Sequence, residues 1–151
     1  MHMANAVRRT LLAGLVSALA CGCDERPVGP LPQTAAQESI VQLGRVLGGY
    51  RGKPAPKALK DILSREQGYP AAIGALRSKD VLLYWGVGLA DGPDAAATVA
   101  AYGKDVPEKG GEVLMQDGTA KAMTADEFKA ARKPPGAKTD PGPLPLPAKT
   151  R

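Results

Sequence analysis

The sequence predicts an α+β domain: N-terminal helix or helices packed on a small antiparallel sheet, with an Asp-Gly hairpin and a short C-terminal helix. Three features lead there. Apolar residues recur at helical spacing in residues 34–47. The pattern changes to alternation in residues 81–87. A run over 111–123 is then split by Asp117-Gly118.

In residues 34–47 (TAAQESIVQLGRVL) the apolar Ile40, Val41, Leu43, Val46 and Leu47 form one helical stripe. Thr34 supplies an N-cap, and Gly48-Gly49 ends the helix. A Gly/Pro connection follows over 50–56. Residues 57–67 (KALKDILSREQ) read as a second amphipathic helix, with Leu59, Ile62 and Leu63 inward and Lys60, Asp61, Arg65 and Glu66 outward. Gly68 stands at its C-cap position. Residues 70–77 (PAAIGALR) predict a short third helix with proline in its first turn.

Residues 81–87 (VLLYWGV) put Leu83, Trp85 and Val87 on one face of a strand and Leu82 and Tyr84 on the other. A polar loop (90–96), a second strand (98–102) and another loop (104–110) follow. The Asp117-Gly118 pair suits the positive φ angles of a two-residue type I′ turn. That turn sets Met115 opposite Ala120 and Val113 opposite Ala122 on an apolar face. Gln116 with Thr119, and Leu114 with Lys121, take the more polar side. Thr124 then caps a helix, with Glu127 as its capping-box partner and Met123 and Phe128 as a hydrophobic staple. Tyr84, Trp85 and Tyr102 are the clustered aromatics. They are expected to pack in the core, the alternative being a partner-docking spot.

The ends of the chain differ in composition from this middle. Arg8 and Arg9 precede an uncharged apolar run over 10–20 (TLLAGLVSALA), which is too short for a membrane span but has the length of a signal-peptide core. The residues around the two arginines match a twin-arginine export pattern poorly, so the pair reads as an ordinary positive n-region. Small residues then lead into Cys21-Gly22-Cys23 and the polar Asp24-Glu25-Arg26-Pro27. This pattern resembles a lipobox, in which a cysteine thiol takes a diacylglycerol. Two registers fit, one lipidating Cys21 and the other Cys23; Cys21 has the more apolar approach. The expected organisation is a lipoprotein signal at 1–20, a lipid-anchored Pro-rich tether at 21–33, a head domain at 34–132 and a disordered or polyproline-like tail at 133–151. Six of the 19 tail residues are proline.

The net charge of +5 includes the two signal arginines. Residues 34–132 carry 13 Lys or Arg against 12 Asp or Glu, alternating in sign, so no basic stripe marks a nucleic-acid partner. The only histidine, His2, precedes the expected cleavage point, and both cysteines fall at the lipobox. That leaves neither the base of a hydrolytic triad nor a His/Cys zinc set. No catalytic, cofactor or metal residues are expected. The site residues are the lipidation candidates Cys21 and Cys23.

Residues 110–119 (GGEVLMQDGT) are similar to the glycine–glycine, apolar run and Asp-Gly closing motif in the heads of type II secretion pseudopilins. Tyr84-Trp85-Gly86-Val87, with Ala101-Tyr102 and Val106-Pro107, also resembles small planctomycete lipoproteins. The resemblance spans about residues 36–131 and implies a pseudopilin-like head, with a lipobox and tether in place of the processed pseudopilin stem. It also raises calcium binding, for which Asp91, Asp94 and Asp117 would be the oxygen donors. The plainer reading makes Asp91-Gly92-Pro93-Asp94 a turn and Asp117 a hairpin residue, and calcium needs six to eight oxygens, for which no dense acidic ladder is present. The expected function is a lipid-anchored envelope protein on the extracytoplasmic side of a membrane, acting as a non-enzymatic interaction or structural module on an unidentified envelope protein. The alternative is a small carboxylate-based hydrolase, or a ligand- or calcium-binding protein, using Asp91, Asp94 and Asp117. The tail segment 141–147 (PGPLPLP) is either a polyproline contact or a spacer.

Overall fold

The computed structural model describes residues 34–140. The signal (1–20), the tether (21–33) with Cys21 and Cys23, and residues 141–151 lie outside the described residues. The domain is α+β: helices pack on a four-stranded antiparallel meander, β1-β2-β3-β4.

Helix α1 (Ala35–Gly48) starts where Thr34 accepts a 3.2 Å hydrogen bond from the Gln37 amide. Ile40, Leu43, Val46 and Leu47 are buried along one face, and Val41 is half-buried at its margin. Helix α2 (Pro70–Ser78) uses Pro70 in its first turn and buries Ala72, Ile73 and Leu76. Strand β1 (Val81–Leu83) follows, then a short helix α3 (Pro93–Ala97) and strand β2 (Val99–Gly103). A single turn, α4 (Val106–Lys109), leads to strands β3 (Gly111–Met115) and β4 (Ala120–Met123), and helix α5 (Ala125–Ala130) closes the order.

The sheet is covered on both sides. Val113 is 0% exposed, Leu114 0% and Met115 1%, so consecutive residues of β3 point into two cores. Toward α1 and α2, Leu114 and Leu83 pack with Ile40, Leu43, Leu47 and Ile73. Toward α5, Val113 and Met115 pack with Val99, Tyr102, Met123 and Phe128. The aromatics divide between the layers. Trp85 joins the first core, while Tyr84 and Tyr102 face the second, where the Tyr102 and Phe128 ring centroids are 4.7 Å apart. Burial first, and then the neighbouring Tyr102 phenol, pushes the Tyr84 hydroxyl up to about 12.

Several local expectations change. Residues 57–67 are not an α-helix but two 3₁₀ turns, Leu59–Asp61 and Leu63–Arg65. The Asp61 carboxylate folds back to accept from the Lys57 and Ala58 amides at 2.9 and 3.0 Å, a local bond that competes with α-helical pairing. The buried Leu59 and Ile62 are three residues apart, which suits a three-residue turn. The strand expected to reach residue 87 ends at Leu83, because Gly86 adopts φ +80 and donates to the Pro56 carbonyl. The loops expected at 90–96 and 104–110 contain the short helices α3 and α4.

The hairpin is present with a different turn. Leu114 pairs with Ala120, Val113 with Lys121 and Glu112 with Ala122, one residue out of the expected register. Among the described residues only Lys79 and certain glycines have positive φ, so Asp117 does not supply the first left-handed position that type I′ needs. Gly118 alone does, at φ +94, and its amide donates to the Met115 carbonyl while the Met115 amide donates to Thr119. This is a three-residue loop with a glycine bulge. Val113 and Met115 stay on one buried face, whereas Leu114, expected on the polar side, pairs with Ala120 and packs in the α1 core, and Lys121 comes opposite Val113.

The capping box at α5 forms as expected. Glu127 accepts from the Thr124 amide and hydroxyl at 2.8 and 3.0 Å, and Thr124 accepts from the Glu127 amide at 3.2 Å. Residues past the expected boundary at 132 return to the domain. The Arg132 carbonyl accepts from Val99 and the Lys138 carbonyl from Trp85. Lys133 sits 4.6 Å over the Phe128 ring and donates to the last carbonyls of α5.

Two outcomes follow from this geometry. A Cβ on Gly118 would meet the Leu89 side chain at 3.3 Å on a left-handed backbone, so Gly118→Val destabilises by about 1–3 kcal/mol, read from denaturant midpoints. The Thr124 bonds outweigh burial and hold the Glu127 carboxyl below its ordinary value. A carboxyl depressed in the folded state adds stability above its unfolded pKa and loses it as pH falls through the folded one. Glu127→Gln keeps a capping-box side chain without the charge. The melting-midpoint gap between wild type and this variant therefore narrows from about pH 6 to about pH 3.

Candidate functional site

The candidate site is a groove of ≈ 490 Å³ between the first turns of α1 and the exposed side of α2. Its walls are small: Ala35 and Ala36 on one helix, Ala71, Gly74 and Ala75 on the other. The spacing of the helices is fixed by Gln42. Its Oε1 accepts from the Ala71 and Ala72 amides at 3.0 and 3.3 Å, satisfying the open N-terminus of α2 from a side chain on α1. Its Nε2 donates to Glu38 at 3.0 Å, which holds that carboxylate at the rim.

The far end of the groove meets the sheet at Val81, Gly103 and Glu112, and a second depression of ≈ 420 Å³ continues from there past Lys104 to Gly110. Asp80 stands between the two. It accepts from Lys104 at 2.5 Å and from Ser78 at 2.6 Å, and these bonds, the lysine's first, hold its carboxyl below the ordinary value. The same pair raises Lys104. An apolar floor with a mainly acidic rim accepts small apolar side chains flanked by donors or cations. It offers shape and charge to a partner.

The three aspartates singled out in the sequence are divided. Arg51 pairs with the Asp91 carboxylate and donates through its other Nη to the Asp117 carbonyl at 2.7 Å, so one guanidinium joins these two segments. The Asp117 carboxylate itself accepts from the Thr119 amide and hydroxyl at 2.8 and 2.7 Å. Burial pushes that carboxyl up, but the Thr119 bonds together bring it below its ordinary value. Asp94 pairs separately with Arg132 at 2.5 Å. Among the described residues no three His, Cys, Asp or Glu side chains gather as a metal set, and no helix is long and apolar enough to cross a membrane.

Sequence reasoning missed Gln42, Arg51 and Arg132. Gln42 acts 29 residues away and Arg51 spans 66, so no local pattern marks either. The one available signal is a lone arginine inside the Gly-rich connection Gly48-Gly49-Tyr50-Arg51-Gly52. Comparison with protein-family models, curated proteins and solved structures gives no match.

Arg51→Ala is expected to lower stability by about 1 kcal/mol, because it removes a charge-assisted bond to a carbonyl as well as a surface ion pair. Asp91→Asn is expected to do less, since that side chain is 89% exposed. Calcium should leave the wild-type melting midpoint unmoved; a rise lost on Asp91→Asn would return these residues to a metal-binding reading.

Proposed function

We propose that this is a lipid-anchored envelope protein, held at a membrane through Cys21 or Cys23, whose domain works as a non-enzymatic contact module. The observation that carries the reading is the open groove between α1 and α2, an apolar floor between two pinned helices with carboxylates on its rim. By sequence, the tether joins the domain at Thr34, beside the groove. The carboxylates that the hydrolase alternative needs are bonded to Arg51, Thr119 and Arg132, which supports a contact role over a catalytic one. A helix on an antiparallel sheet agrees with the resemblance to pseudopilin heads, and that resemblance enters here as part of the proposal.

Two measurements test it. A palmitate analogue fed to cells should label the protein, and Cys21→Ser with Cys23→Ser should abolish the label; a label surviving both changes ends the anchor reading. A photocrosslinker at Gly74, where a side chain has open space, should give a discrete protein adduct in intact cells, and one at the exposed Lys60 should not. Equal yields at both positions, or no adduct at Gly74, would remove the groove as the contact surface.

A further inference from the structure

The sequence holds two Asp-Gly steps, Asp91-Gly92 and Asp117-Gly118. In such a step the glycine amide nitrogen can reach the carboxyl carbon of the aspartate, and no Cβ on the glycine stands in the way. A bond between them closes a succinimide ring, and the carboxyl OH leaves with the amide hydrogen as water. A second water then opens the ring. Attack at the former side-chain carbonyl restores aspartate. Attack at the backbone carbonyl breaks its bond to the glycine nitrogen, and the chain then runs through the aspartate side chain as isoaspartate. The net change is an isomerisation in which only water takes part. Its rate depends on how freely the nitrogen and the carboxyl group can meet.

The fold treats the two steps differently. At Asp117-Gly118 both reacting groups are engaged. The Gly118 amide donates to the Met115 carbonyl at 3.0 Å, and the Asp117 carboxylate accepts from the Thr119 amide and hydroxyl at 2.8 and 2.7 Å. Both residues are half-buried.

At Asp91-Gly92 both residues are exposed. The Asp91 carboxylate has Arg51 as its partner, and an ion pair this exposed holds a side chain weakly. Gly92 stands at the start of α3. Its carbonyl accepts from the Ala96 amide at 3.2 Å, but its own amide precedes the first turn and has no partner among the described residues. On the other side the Ala90 amide donates to the Gln116 carbonyl at 2.9 Å. The loop is therefore anchored around this step, while the nitrogen and the carboxyl group within it stay open to each other.

We infer that Asp91-Gly92 is a modification site at which the folded protein forms isoaspartate, selected over the identical step at Asp117-Gly118 by the bonds that hold the latter. The inference stands apart from the α1–α2 groove and from lipidation. The product has one more methylene in the backbone of the loop, and its free carboxylate sits directly on Cα. Both changes draw the carboxylate away from Arg51, so the junction between this loop and the hairpin tip loosens as the molecule ages.

Prolonged incubation of the intact, folded protein in heavy-oxygen water tests this. Electron-transfer fragmentation of the peptides separates isoaspartate from aspartate, and the heavy oxygen marks each ring opening. Isoaspartate should accumulate at Asp91 about tenfold or more faster than at Asp117, where one bond on the nitrogen and two on the carboxylate have to open first. In denaturant the Asp117 step should speed up until the two rates come within about threefold of each other, because those bonds are gone. Equal rates in the folded protein overturn the inference, as does isoaspartate that forms at Asp91 only after unfolding. A preference for Asp91 that persists undiminished in denaturant also overturns it, since the flanking residues and not the fold then select the site.

Discussion

Burial of the middle strands on both faces is the constraint from which the rest of the domain follows. Val99, Ala100, Ala101 and Tyr102 are all buried, as are Val113, Leu114 and Met115, so a layer on one side alone would leave half of these side chains in water. The chain meets this with α1 and α2 on one face and α5 with the Val106 turn on the other. These helices are short, and isolated helices of such length are marginal in water. Their ends are accordingly held by specific side chains: Thr34 on α1, Gln42 on α2, and Thr124 with Glu127 on α5. Glu66 adds a two-pronged bond to Arg77, tying the 3₁₀ region to the end of α2.

What could be read in the sequence is what depends on near neighbours. The α1 stripe, the first-turn proline of α2 and the capping box at Thr124 all lie within a few residues, and each is found where the pattern puts it. The hairpin shows the limit. Asp-Gly fits both a two-residue turn and a three-residue loop with a bulge, and the choice between them rests on contacts with distant residues. Here the tip lies against α1: a Cβ on Gly44 would meet the Leu114 side chain at 3.1 Å and the Gly118 carbonyl at 3.3 Å. Gln116 also donates to the Gly88 carbonyl, and its own carbonyl accepts from Ala90. These contacts accompany the register that carries Leu114 to the α1 side.

The candidate site was legible only in its ingredients. Alanine and glycine at 35, 36, 71, 74 and 75 look like helix filler in sequence, and they line a groove because Gln42 fixes where α2 begins. The aspartates invited a metal or catalytic reading because acidic residues are visible one by one. Their cationic partners Arg51 and Arg132 are 40 and 38 residues away from Asp91 and Asp94, a distance that sequence pattern does not bridge.

The carbonyls of Arg132 and Lys138 have a bearing on the timing of assembly. Each strand of the meander meets its predecessor soon after it is made, and local pairings of this kind close quickly. The bonds from Val99 to Arg132 and from Trp85 to Lys138 have to wait until the carboxyl-terminal residues have been synthesised. The nascent domain thus passes through an interval in which its four strands are already in order while the Trp85 amide on the outer rim of β1 still lacks its carbonyl, and a chaperone would meet the protein in that incomplete form.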